Sequence, residues 1–104
     1  MSTMSSDAEE ERDSQESQLN KIKLHLDRID GQLQENGGLN CGWEAADHKD
    51  YLRLRTKHNG KTMTVAFMTE IMRCVPGLND DLIREHIARH DKLLELLDRK
   101  KELL

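Results

Sequence analysis

The sequence predicts an all-α chain: one amphipathic helix, a glycine break, then three helices around a few large side chains. Apolar residues recur three and four apart in two stretches. One is Leu19, Ile22, Leu26, Ile29 and Leu33; the other is Ile83, Ile87, His90, Leu94 and Leu97, with Leu104 one heptad further on. That is helical spacing, not the alternation of a strand. Breakers stand between helix-length pieces at Asn36-Gly37-Gly38, Asn59-Gly60 and Pro76-Gly77, where glycine or asparagine supplies the left-handed conformations that end helices. Aromatic residues make up only 3% of the chain, so a core has to gather around Trp43, Tyr51 and Phe67, each ring able to bury about 150–250 Å².

Residues 1–18 hold six acidic side chains and one basic, a net of −5, against −4 for the whole chain. This stretch has no apolar periodicity and is expected to be a disordered acidic tail, because it cannot bury enough surface to offset its ordering entropy. Its serines also permit an acidic interaction or phosphorylation tail. Residues 19–35 form the first heptad helix. Two heptads are marginal alone, and Gly31 costs about 1 kcal/mol against alanine in a helix interior. This helix therefore needs a surface, either the domain that follows or another chain.

Residues 39–91 are expected to form a three-helix domain. Its first helix runs from Glu44 to His58, with Trp43, Asp47, Tyr51 and Leu54 or Arg55 on the buried side. Lys49, Arg53 and Lys57 repeat every four residues on another side. Such a basic stripe is either a solvated face or a docking face for an acidic partner. The second helix, Met63 to Cys74, can be capped by Thr62 or Thr64. Most of Val65, Phe67, Met68, Ile71, Met72 and Val75 are expected in the core; an adaptable exposed surface of surplus methionines is the alternative. The third helix opens at Asn79-Asp80-Asp81, an N-cap followed by carboxylates that complement the positive helix end. No Gly or Pro interrupts it afterwards, so residues 92–104 project as a coiled-coil extension. That end is expected to fold back on the Leu19–Leu33 helix within one chain; self-association through the same stripes is the alternative.

The Trp43–His90 stretch resembles a Myb-like or SANT-like three-helix domain. In that family a tryptophan is followed by an acidic residue four later and an aromatic eight later, places taken by Trp43, Asp47 and Tyr51. A Gly-Lys turn, Gly60-Lys61, leads to a second helix with an aromatic and an aliphatic residue four apart, here Phe67 and Ile71. Ile87 and Ala88 stand where the third helix usually has a further aromatic. The likeness is nearer to the divergent version in the coiled-coil domain-containing protein 112 family. The strings that carry it are Trp43, Asp47-His48, Tyr51-Leu52, Lys57-His58-Asn59-Gly60-Lys61, Phe67-Met68-Thr69-Glu70, Val75-Pro76-Gly77 and Arg84-Glu85-His86. The resemblance implies a protein-interaction or adaptor role at a centrosome, centriolar satellite or cilium, with the nucleus as the alternative setting.

No phosphate loop, nucleophile elbow or metalloprotease motif is present, so the chain is expected not to be an enzyme and to hold no cofactor. His86 and His90 share a helical face at a spacing that can hold zinc, but Ile87 follows His86, so the His-Glu pair of a hydrolytic site is absent. A zinc module using Cys41 or Cys74 with histidines is a third reading; both thiols are expected free, and no metal is expected. His48 and His58 read as isolated surface residues. No apolar run reaches the length of a membrane span, and an intracellular, cytoplasmic chain is expected. The third helix sets Arg84 and Arg89 against Asp80, Asp81 and Glu85, so a single repeat binds DNA weakly at best. The expected function is a non-enzymatic protein–protein interaction or scaffold module. A Myb-like DNA- or chromatin-binding protein is the alternative.

Overall fold

Helices form wherever the breakers allow. The computed structural model describes the backbone of residues 3–104 and the side chains of residues 16–104. Its elements are α1 (Thr3–Glu35), a single 3-10 turn (Gly38–Asn40), α2 (Ala45–Lys57), α3 (Val65–Cys74) and α4 (Asp80–Leu103). Among the described residues there is no strand.

Helix α1 starts at Thr3, so the stretch expected to be a disordered tail is helical backbone from Thr3 onward. Met1, Ser2 and the side chains up to residue 15 lie outside the described residues. Glu, Gln, Arg and Ala are good helix formers, and no Gly or Pro occurs before Gly31; local propensity therefore competes with the charge that argued for disorder. At about 1.5 Å per residue, the 33 residues make a rod of about 50 Å. The molecule measures 76 × 23 × 20 Å.

The chain reverses at Gly37, which has φ 99°. A Cβ there would run into the backbone nitrogen of Gly42, and that same nitrogen donates to the Gly37 carbonyl at 3.0 Å, closing the loop. Asn36 Nδ2 donates to the Arg89 carbonyl of α4 at 2.8 Å. Further along, Lys100 Nζ meets Asp30 Oδ1 at 2.8 Å. These two ties run in opposite chain directions, so α1 and α4 form an antiparallel hairpin.

The register of this hairpin departs from the expected one. Ile29 is buried and Ile22, Leu26 and Leu33 are half-buried, but Leu19 is exposed. On α4 the seam is Leu93 and Leu96, with Leu103 half-buried, whereas Leu94 and Leu97 are exposed. The reason is that α4 has different neighbours on different sides. Ile83, Ile87 and His90 face the domain. The side that meets α1 lies roughly a quarter turn around the helix. The expected stripe is one continuous face, but the domain ends near His90, and Leu94 and Leu97 continue it into solvent.

The domain core gathers Tyr51 and Leu54 from α2, Phe67 and Ile71 from α3, then Val75, Ile83 and Ile87. Trp43, Met68 and Leu78 are partly buried against it. Thr64, not Thr62, caps α3 by accepting from the Phe67 N–H at 3.3 Å. Asn79 caps α4 by accepting from the Leu82 N–H at 2.8 Å. Helix α2 ends through Asn59 and Gly60, both at positive φ, with the Gly60 N–H donating to the Arg55 carbonyl. Of the apolar residues of this stretch, most of which were expected in the core, Val65 and Met72 are exposed, because α3 turns only its Phe67–Ile71 side inward.

The register gives a paired expectation. Leu96 is 0% exposed and Leu97 is 38% exposed. Leu96→Ala should cost about 2–5 kcal/mol; Leu97→Ala should cost under about 1 kcal/mol. Thermal and urea melts followed by circular dichroism check this, and equal losses would contradict the register.

Candidate functional site

Two constellations in the domain carry polar chemistry: a buried histidine cluster and the basic side of α2. The first was not legible in the sequence. Trp43 precedes α2, which begins at Ala45 with Glu44 as its N-cap, so the Trp43–Asp47–Tyr51 spacing is not a helical face throughout. The inward side of α2 is His48, Tyr51 and Leu54, and Asp47 is only half-buried in the first turn. His48, expected at the surface, is therefore buried. His58 is half-buried and lies 3.1 Å from Glu70.

From α4, His86 and His90 point at this side of α2. His48 Nδ1 and His86 Nε2 are 2.9 Å apart, a hydrogen bond in which one ring donates its N–H and the other accepts. The Trp43 ring stacks on His86 with centroids 3.6 Å apart and planes 19° apart. Tyr51 meets His86 and His90 edge-on at 4.6 and 5.2 Å. Tyr51 Oη, His86 Nδ1 and His90 Nδ1 are buried without a hydrogen-bond partner among the described residues. Each such group costs about 1–3 kcal/mol relative to a satisfied one.

Burial holds these groups neutral. Desolvation pushes His86 down to about 3, helped by His48, His90 and Arg89 nearby. Burial also lowers His48. His90 is lowered by burial, then by Arg55 and His48, with Asp91 opposing. Burial raises Tyr51 to about 12 and raises Cys41, against the opposing charge of Arg89. Each of these shifts favours the neutral form of its group. No set of three or more His, Cys, Asp or Glu residues comes together as a metal site among the described residues. Cys41 is buried and Cys74 exposed, both as free thiols.

The second constellation was expected. Lys49, Arg53 and Lys57 are exposed along α2. Lys57 Nζ lies 2.9 Å from Glu70 of α3, and Arg53 lies 3.7 Å from Asp50. The Lys57 hydrogen bond holds the Glu70 carboxyl below its usual range. Arg53, Leu54, Lys57, Glu70, Arg73 and Cys74 line a shallow groove between α2 and α3. On α4, by contrast, Arg84 pairs with Asp80 at 2.7 Å and Arg89 with Glu85 at 2.8 Å.

The cluster is expected to make the fold acid-sensitive. A histidine whose pKa is lower folded than unfolded binds fewer protons in the native state, so stability rises with pH across that window. Stability should be complete above about pH 6.5, the unfolded value, and fall progressively as the pH drops towards about 3, the His86 value. Each kcal/mol lost lowers the melting midpoint by about 4–8 °C in a domain this small. Melts between pH 7.5 and 4.5 check this, and His86→Phe, which removes one of the groups, should flatten the slope.

A 70-residue stretch of the chain is 39% identical to coiled-coil domain-containing protein 112 of Macaca fascicularis and of Mus musculus. It is 37% identical to the Homo sapiens protein. The matched stretch covers 67% of this chain and 15% of each relative. No family model matches the chain, and no solved structure matches it. The chain thus shares a homologous segment with a coiled-coil domain-containing protein, and spans about 15% of that protein's length.

Proposed function

We propose that this chain is a non-enzymatic interaction module of a coiled-coil protein, in which a SANT-like domain (α2, α3 and the first half of α4) binds an acidic protein partner while the α1–α4 hairpin braces it. The observation that supports this most is the exposed row Lys49, Arg53 and Lys57 on α2, beside Arg73 at the groove to α3. With Asp50 and Glu70 counted against these four cations, the surface remains positive. Complementary charge raises the encounter rate and suppresses wrong partners more than it adds affinity. The centrosomal or ciliary setting belongs to the same reading and rests on the family resemblance. A DNA-reading role would use the start of α4, where Asp80 and Asp81 face any approaching phosphate and Arg84 is held by Asp80.

Fluorescence anisotropy with two probes tests the reading: a labelled acidic amphipathic peptide and a random duplex, each across a salt series. The peptide should bind, and Lys49→Glu with Arg53→Glu should weaken it about tenfold, or about 1.4 kcal/mol. The duplex should bind no tighter than about 10⁻⁴–10⁻⁶ M at physiological salt. Sequence-selective duplex binding in the nanomolar range would replace the protein-adaptor reading with the Myb-like one.

A further inference from the structure

Beyond the basic face, α4 carries an apolar row that is left exposed among the described residues. Leu94 is 44% exposed, Leu97 38% and Leu104 86%. With Lys101 they are spaced three, four and three apart, so they lie along one line of the helix. This line continues the side that Ile83, Ile87 and His90 bury in the domain. It is separate from the Leu93–Leu96 side that meets α1. Two buried stretches therefore hold α4 rigid on either side of an unpartnered face, which makes the face a preformed docking surface.

We propose that a second copy of this chain occupies this face, with the two α4 helices antiparallel across a two-fold axis near Arg99. Lys101 carries the choice of occupant and orientation. In a parallel pair, Lys101 would stand opposite its own copy in the apolar row, two like charges side by side. In the antiparallel pair it stands opposite Leu97 of the second copy and next to that copy's Asp98. Leu94 then meets Leu104, and the two-fold repeats each contact. The charges along α4 agree: Asp91, Lys92, Glu95 and Asp98 sum to −2, whereas Arg99, Lys100, Lys101 and Glu102 sum to +2. Only antiparallel pairing sets one half against the other. A single polar residue in an apolar row is a known way of fixing the register and orientation of paired helices at some cost in affinity. The contact is short and places the two domains at its opposite ends.

Sedimentation velocity on the full chain tests this. A contact below about 1,200 Å² is at the weak end of specific interfaces, so a monomer–dimer equilibrium is expected over roughly 10–300 µM. Leu94→Ser with Leu97→Ser should keep the helix content and cost under about 2 kcal/mol of stability, since both residues are exposed in the single chain, and should abolish the dimer. Leu24→Ser is the control, because Leu24 is 64% exposed on α1 away from this row; it should dimerise like the parent. For orientation, spin labels at Asp91→Cys in a Cys74→Ser background should be about 25 Å apart in the antiparallel dimer, against about 10 Å in a parallel one. A chain that stays monomeric at every concentration overturns the proposal, as does a dimer that survives the double substitution. A short spin–spin distance overturns the antiparallel arrangement. None of these readouts depends on the basic face, so failure here and failure of the acidic-partner reading are separate results.

Discussion

Helix α4 has to bury two different sides in succession, and the rest of the structure follows from that constraint. Over its first half, Ile83, Ile87 and His90 turn inward to α2 and α3. Over its second half, Leu93 and Leu96 turn to α1. A straight helix presents these sides at a fixed angle, so the hairpin and the domain cannot be rearranged independently. The Asn36–Arg89 hydrogen bond marks the handover: the end of α1 is tied to the last turn of α4 that belongs to the domain.

Polar groups in the core are tolerated because they are neutral and packed by rings. His48, His86 and His90 sit where aliphatic side chains would otherwise be, and the Trp43 stack and the Tyr51 edges fill their surroundings. A chain with so few aromatic residues uses imidazoles as flat filling, at the cost of unpaired nitrogens and of stability in acid. That arrangement suits a structural role. The unpaired Nδ1 atoms of His86 and His90 are covered.

Much of the fold was legible in the sequence because breakers and caps are local. Asn36 to Gly38, Asn59-Gly60, Thr64 and Asn79 act within a turn or two, and they end or start helices where their chemistry says they should. Tyr51, Phe67 and Ile71 were legible as core because they are the largest apolar groups at helical spacing. What was not legible depended on tertiary placement. The pairs Leu93-Leu94 and Leu96-Leu97 fit two faces equally well, and only the position of α1 decides which is buried. Trp43 stands before its helix, so counting fours from it pointed at Asp47 and hid His48. The start of α1 sets composition against propensity, two signals that disagree over residues 1–18. Of the candidate interaction residues, Lys49, Arg53 and Lys57 are accessible, and Leu94 and Leu97, expected to pack on the first helix, are exposed as well.

The hairpin also accounts for how so small a domain is held. Residues 39–91 alone would bury only about 60% of their unfolded surface, which leaves such domains marginal, and three unpaired polar atoms in the core weaken this one further. Helix α1 adds apolar burial through Ile29, Leu26 and Leu33 and extends the ordered part of α4 past the domain's edge. A helix connected through a tight loop docks at high effective concentration and without a separate association cost. The domain keeps polar groups in its core because stability is supplied from outside it, by a long helix that its own three helices do not contain. The same extension brings Leu94 and Leu97 out of the domain as an ordered, apolar edge, so the bracing of the core and the exposure of a docking row are two consequences of one helix being longer than the domain it serves.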